Sequence, residues 1–137
     1  MYSIELSERL YFEAVEKFRA DTNVFILHGD SAAVLSEIIP PMKGPVLFWL
    51  DAHYSGGGLR GSLSARGTKD TPILDELSRI LENRQKARGH VVLIDDIRLF
   101  GTDPAYPSIG EIHALLERHS CTYNSRISHD VMAIELL

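Results

Sequence analysis

One stretch constrains this chain more than any other: His90-Val91-Val92-Leu93-Ile94-Asp95-Asp96. Four consecutive apolar residues, three of them β-branched, run straight into two adjacent carboxylates. An apolar run without polar alternation is the pattern of a strand covered on both faces, as in parallel sheets under helices. Val46-Leu47-Phe48-Trp49-Leu50-Asp51-Ala52-His53 repeats the design, with Trp49 expected inside the core. In open α/β sheets, ligands bind beyond the carboxyl ends of the strands. Three carboxylates delivered there by two strand ends predict a cation site formed by Asp51, Asp95 and Asp96.

The rest of the chain supplies helices between such strands. Residues 1–5 read as a short strand ending in Glu5, and Ser7 caps a helix over 8–19 with Leu10, Ala14, Val15 and Phe18 on one face. Val24-Phe25-Ile26-Leu27 is a further apolar strand, followed by His28-Gly29-Asp30-Ser31 and a helix over 32–39 that stops at Pro40-Pro41. After the strand ending at Asp51, residues 54–71 contain five glycines and almost no apolar content, a loop in the sequence pattern. Thr71-Pro72 opens a helix to about residue 86, with Thr71 as its cap. Ser108 caps a helix over 109–119, and 122–127 with 131–136 flank the turn Ser128-His129-Asp130 as an antiparallel hairpin. The order βαβαβαβαββ predicts one α/β domain over 1–137, its sheet mainly parallel, with helices on both faces and a C-terminal antiparallel hairpin.

Composition narrows the class. At 137 residues with 45% hydrophobic and 24% charged side chains, the chain has the balance of a single globular domain. A net charge of −5 argues against a general nucleic-acid binder. No apolar run approaches the roughly 20 residues that span a bilayer, so no membrane partner is expected. The start shows no basic segment followed by an apolar one, and Cys121 is the only cysteine. A cytoplasmic protein without disulfides is the expectation.

The ordered set Glu5, Asp30, Asp51, Asp95 and Asp96, each at a strand end, resembles the class I S-adenosylmethionine-dependent methyltransferases. The nearest resemblance is to the metal-dependent O-methyltransferases of the catechol and macrolide-sugar type. It covers nearly the whole chain but begins one strand late. The resemblance implies a Rossmann-like methyltransferase sheet, N-terminally truncated, in which Glu5 binds the ribose hydroxyls of S-adenosylmethionine and Gly29, Asp30 and Ser31 lie against its adenine. It implies Mg2+ on Asp51, Asp95 and Asp96, where the ion orients a small-molecule hydroxyl substrate. The family's first strand and Gly-rich loop would precede residue 1. In the family's sheet order, 3-2-1-4-5-7-6, that strand is central, so its lane would lie open. Three outcomes are consistent with this: the chain is a fragment, the flanking strands pair directly, or a second subunit fills the lane as a homodimer.

Each assignment has a plainer competitor. The acids could be helix caps or solvated loop residues. His53, placed to act as the base, could be an ordinary loop histidine, and Asp30 with Ser31 could only cap the helix that follows. The Gly-rich loop over 56–69, with Arg60, Arg66 and Lys69, is either a lid or a plain crossover. The competing reading of the whole is non-catalytic: an inactive methyltransferase-like domain that dimerises through its exposed sheet lane.

Overall fold

The computed structural model describes residues 1–51, 71–83 and 89–137. In chain order the elements are β1 (Tyr2–Glu5), α1 (Glu8–Lys17), β2 (Phe25–His28), α2 (Ser31–Ile38), β3 (Leu47–Leu50), α3 (Ile73–Glu82), β4 (Val91–Ile94), α4 (Ile109–Arg118), β5 (Tyr123–Ser128) and β6 (Val131–Leu136). This is the alternation the apolar runs predict, closing hairpin included. The start of α3 differs: Pro72, not Thr71, occupies the cap position, with φ −89° and ψ 7°, and no side chain caps this end. Among the described residues no helix is long and apolar enough to cross a membrane.

The strands form two ladders, β1-β2 and β3-β4-β6-β5. β1 pairs with β2 in parallel and β3 with β4 in parallel, while β6 is antiparallel to both β4 and β5. β1 and β3 are not hydrogen-bonded to one another, so direct pairing across the lane does not occur. Set end to end as β2-β1 and β3-β4-β6-β5, the two ladders keep the expected sheet order, and among the described residues no strand pairs between β1 and β3.

The core is built on one face of the larger ladder. Register places Phe48, Val92 and Ile134 in one row and Leu50, Ile94 and Met132 in the next, all buried. Over them close Leu35 and Ile39 from the α2 segment, Leu77, Ile80 and Leu81 of α3, and Ile112, Leu115 and Leu116 of α4. α2 packs against α3 and α3 against α4, so these three helices make one layer. His90 stitches the strand starts together: it is buried, and its Nδ1 accepts a hydrogen bond from the Val46 amide at 3.1 Å. Burial depresses its basicity, which keeps the ring neutral and able to accept.

The opposite face is covered differently. The chain runs outward from β1 to β2 and back from β2 to β3, so right-handed crossovers place α1 and α2 on opposite sides of the sheet. α1 packs on β1 and β2 and has no buried residue. β3 therefore alternates: Phe48 and Leu50 are buried, whereas Leu47 is 62% and Trp49 57% exposed. The expectation of a core tryptophan is thus corrected. Trp49 points to the face where α1 covers only the neighbouring ladder, and period-two alternation gives it no other direction.

Candidate functional site

The candidate residues collect where parallel strands end and helices begin. At the end of β1, Glu5 uses Oε1 to accept the Ser7 amide at 2.7 Å, tightening the turn into α1. Its backbone carbonyl receives the Gly29 amide at 3.0 Å, which ties the end of β1 to the turn after β2. Gly29 has φ +148°, and a Cβ there would lie 3.1 Å from Val34 Cγ2, so the turn needs glycine twice over. Asp30 caps α2, its Oδ1 accepting the Ala33 amide at 3.1 Å. Glu5, Gly29, Asp30 and Ser31 thus form one connected half of the rim.

The other half follows β4. Asp96 has φ +58°, a left-handed conformation that aspartate tolerates better than most residues, and its amide donates to Asp95 Oδ1 at 2.8 Å. A 3-10 turn over Ile97–Leu99 comes next. The β5–β6 hairpin turn docks on it: the Asp130 carbonyl accepts the Ile97 amide at 3.0 Å, and Asp130 Oδ1 accepts the Arg98 amide at 2.8 Å. As a result Asp95, Asp96 and Asp130 each place a carboxylate oxygen within 4.8 Å of the others. The Arg98 guanidinium pairs with Asp96 at 2.7 Å and also with Asp130.

The acids brought together are therefore Asp95, Asp96 and Asp130, while Asp51 at the end of β3 does not join them within that distance. The charges of Asp96, Asp103 and Asp51 all act on the Tyr106 hydroxyl. Burial first, and then these carboxylates, push that hydroxyl up to about 12, so it stays protonated at neutral pH. His53 and the Gly-rich loop lie outside the described residues.

Two participants escape a reading of the sequence by strand ends. Asp130 sits in a hairpin turn, where an acid is routine, and only the docking of that turn onto the 3-10 segment brings it to the rim. Glu76 did leave a signal. It occupies a core position of the stripe Ile73, Glu76, Leu77 and Ile80, where spacing of three and four predicts an apolar residue. It is 2% exposed, its carboxyl is hydrogen-bonded to the Ser31 side chain, and its Oε2 is buried with no hydrogen-bond partner among the described residues. Desolvation is the largest influence on it and raises its pKa to about 7, with Asp30 and Asp75 adding to the rise and the Ser31 bond opposing it.

A scan against protein-family models and a search of curated proteins both find no match. Solved structures do match. An rRNA-methylase assignment from Clostridium thermocellum aligns over 99% of this chain and 74% of its own, at 13% identity and TM-score 0.53. The O-methyltransferase from Bacillus cereus, solved in complex with SAH, aligns over 99% and 61%, at 15% identity and TM-score 0.51. An O-methyltransferase family protein from Burkholderia thailandensis aligns over 98% and 42%, at 9% identity and TM-score 0.50. This chain thus spans between 42% and 74% of the length of these structures. At such identities the likeness concerns the backbone, and it agrees with the strand order and the hairpin described above: the chain has the α/β fold of these methyltransferase structures.

Proposed function

We propose that the chain is the core of an S-adenosylmethionine-dependent O-methyltransferase that acts, with Mg2+, on a hydroxyl of a small molecule. The observation that carries this reading is the rim itself: a carboxylate trio at the exit of β4 and, on the neighbouring parallel pair, Glu5 beside the Gly29–Ser31 turn. The names of the matching O-methyltransferase structures support it. In this reading the Glu5 carboxylate accepts hydrogen bonds from the ribose diol, and Gly29, Asp30 and Ser31 line the adenine.

The donor chemistry fits a hard dication, since Asp95 and Asp96, with Asp51 or Asp130 as third ligand, offer only carboxylate oxygens. Bound there, Mg2+ would orient the substrate hydroxyl and favour its deprotonated form. Arg98 then leaves Asp96 and Asp130, a displacement within reach of a long side chain that is 62% exposed. His53 takes the hydroxyl proton, and the Tyr106 hydroxyl, held protonated, adds no charge beside the acids. Calorimetric titration of the chain with S-adenosylhomocysteine tests the cofactor half. Binding at micromolar levels is expected, and a folded protein that releases no heat with either S-adenosylhomocysteine or S-adenosylmethionine refutes it.

The same reading includes a second copy of the chain. The edges of β1 and β3, unpaired among the described residues, and the exposed Leu47 and Trp49 support an interface there. Sedimentation equilibrium at micromolar concentration should return a dimer that Trp49→Glu dissociates; a monomeric wild-type chain defeats this part.

A further inference from the structure

The 3-10 turn after β4 is capped from outside. The residue ahead of such a turn ordinarily has extended backbone and accepts one of the first amides with its own side-chain oxygen, a task that suits aspartate. Asp96 stands in that place, and its carbonyl accepts the Leu99 amide at 2.9 Å, but its side chain caps nothing. Its backbone is left-handed instead, with φ 58° and ψ 34°. The first two amides of the turn go to the β5–β6 hairpin: Ile97 donates to the Asp130 carbonyl at 3.0 Å, and Arg98 donates to Asp130 Oδ1 at 2.8 Å. Asp130 thus caps a turn whose Arg98 lies 32 residues before it.

We propose that Asp130 is a positioning residue for Asp96: by capping the turn over Ile97–Leu99 it releases the Asp96 carboxylate from that task and holds it at the rim for a divalent cation. The cation rests on the function proposed above; the cap does not.

The hydrogen bonds give Asp130 this task rather than that of third ligand. Its Oδ1 already accepts a backbone amide, a bond that fixes a turn. Asp96 needs fixing, because aspartate tolerates left-handed backbone without preferring it. Asp95 depends on the same geometry, since the Asp96 amide donates to its Oδ1 at 2.8 Å. The other group that touches both acids is the Arg98 guanidinium, which pairs with Asp96 and with Asp130. Its side chain is 62% exposed, and an ion pair so open to solvent is weak. A bound cation displaces the guanidinium and leaves both amide bonds in place, so only the cap serves the empty and the loaded site alike.

The test compares Asp130→Asn with Asp130→Ala. Neither carries the charge, but asparagine caps as well as aspartate and alanine does not. The first readout is the Asp96 HN–Hα coupling, with its carbon shifts, measured by NMR in the metal-free chain. The left-handed signature should persist in the wild type, Asp130→Asn and Arg98→Ala, and should be lost in Asp130→Ala. The second is Mg2+ affinity by calorimetry: Asp130→Ala should bind about tenfold more weakly than Asp130→Asn, the loss expected when a group that orients a metal ligand is removed. A left-handed Asp96 in Asp130→Ala overturns the positioning role. Its loss in Asp130→Asn means that the charge acts rather than the cap, its loss in Arg98→Ala means that the ion pair does, and either overturns the proposal. Should Asp130→Ala fail to fold, Asp130→Asn and Arg98→Ala decide by the same readout. The expected signatures in a chain that binds no Mg2+ leave the cap standing and remove the metal from the proposed function. Equal Mg2+ affinity in Asp130→Asn and Asp130→Ala overturns the link from cap to cation alone.

Discussion

Glu76→Gln should make the protein more stable at alkaline pH and leave it nearly unchanged in acid. The folded chain holds the Glu76 proton up to a pKa of about 7, whereas an unperturbed glutamate releases it at 4.5. Below the lower value both states carry the proton and no difference arises. Between the two values the folded state binds more protons than the unfolded one, so stability falls as pH rises, by about 1.4 kcal/mol per unit. Above the folded pKa the loss levels off at about 3 kcal/mol, a large share of the 5–15 kcal/mol that holds a typical domain together. Glutamine keeps the shape and a hydrogen bond to Ser31 but cannot ionise, so this slope should disappear. Urea unfolding at pH 5, 6, 7 and 8 reads it directly: the two midpoints should nearly coincide at the acid end and separate at the alkaline end, the variant being the more resistant. A variant that tracks the wild-type pH profile in parallel, or is weaker by a constant amount at every pH, refutes the argument from burial.

Two other expectations follow from the core and the acid trio. Mg2+ should raise Tm in the wild type by binding only the folded state, Asp95→Ala should abolish the rise, and Arg98→Ala should enlarge it by removing a tethered competitor; an undiminished rise in Asp95→Ala removes the metal assignment. Leu77→Ala, at a fully buried site between the sheet and the helix layer, should cost about 2–5 kcal/mol in urea unfolding, and a loss under 1 kcal/mol would mean the helix layer is not packed as described.

How far the sequence revealed this structure depends on which force decided each feature. The apolar runs at Val91–Ile94 and Leu47–Leu50 announced buried strands because nothing polar interrupts them, and the turn chemistry around Ser7, Asp30 and Ser108 marked helix starts that the structure keeps. Trp49 went astray because an apolar run says that a strand is buried without saying how completely each face is covered. That is decided by which helices reach it, a tertiary matter. The rim was legible where acids end strands, at Glu5, Asp51, Asp95 and Asp96. Asp130 was not, since its placement depends on the hairpin turn docking through the Ile97 and Arg98 amides. Glu76 was visible only as an interruption of a stripe, which sequence reading averages away and burial turns into the most perturbed carboxyl among the described residues.

The two halves of the rim stand on foundations of unequal strength, and this has a measurable consequence. The acid trio is attached to β4 and the β5–β6 hairpin, whose strands carry Val92, Ile94, Met132 and Ile134 in the centre of the core. Glu5 and the Gly29–Ser31 turn hang on β1 and β2, a two-stranded ladder of four residues per strand with no buried residue in either strand or in α1. An isolated two-stranded ladder is marginal in water, and local opening takes the least free energy where few apolar contacts are lost. Native-state hydrogen exchange should therefore separate the halves. The amides of Ile26 and Leu27 should exchange through an opening at least about 2 kcal/mol easier than that of Val92 and Leu93, which should require global unfolding. S-adenosylhomocysteine should narrow the difference by stabilising β1 and β2, whereas Mg2+ should leave their exchange unchanged. Equal protection of both pairs in the ligand-free chain would show that the ladders unfold as one unit, and the division of the rim into a firm acid half and a soft half at Glu5 and the Gly29–Ser31 turn would fall with it.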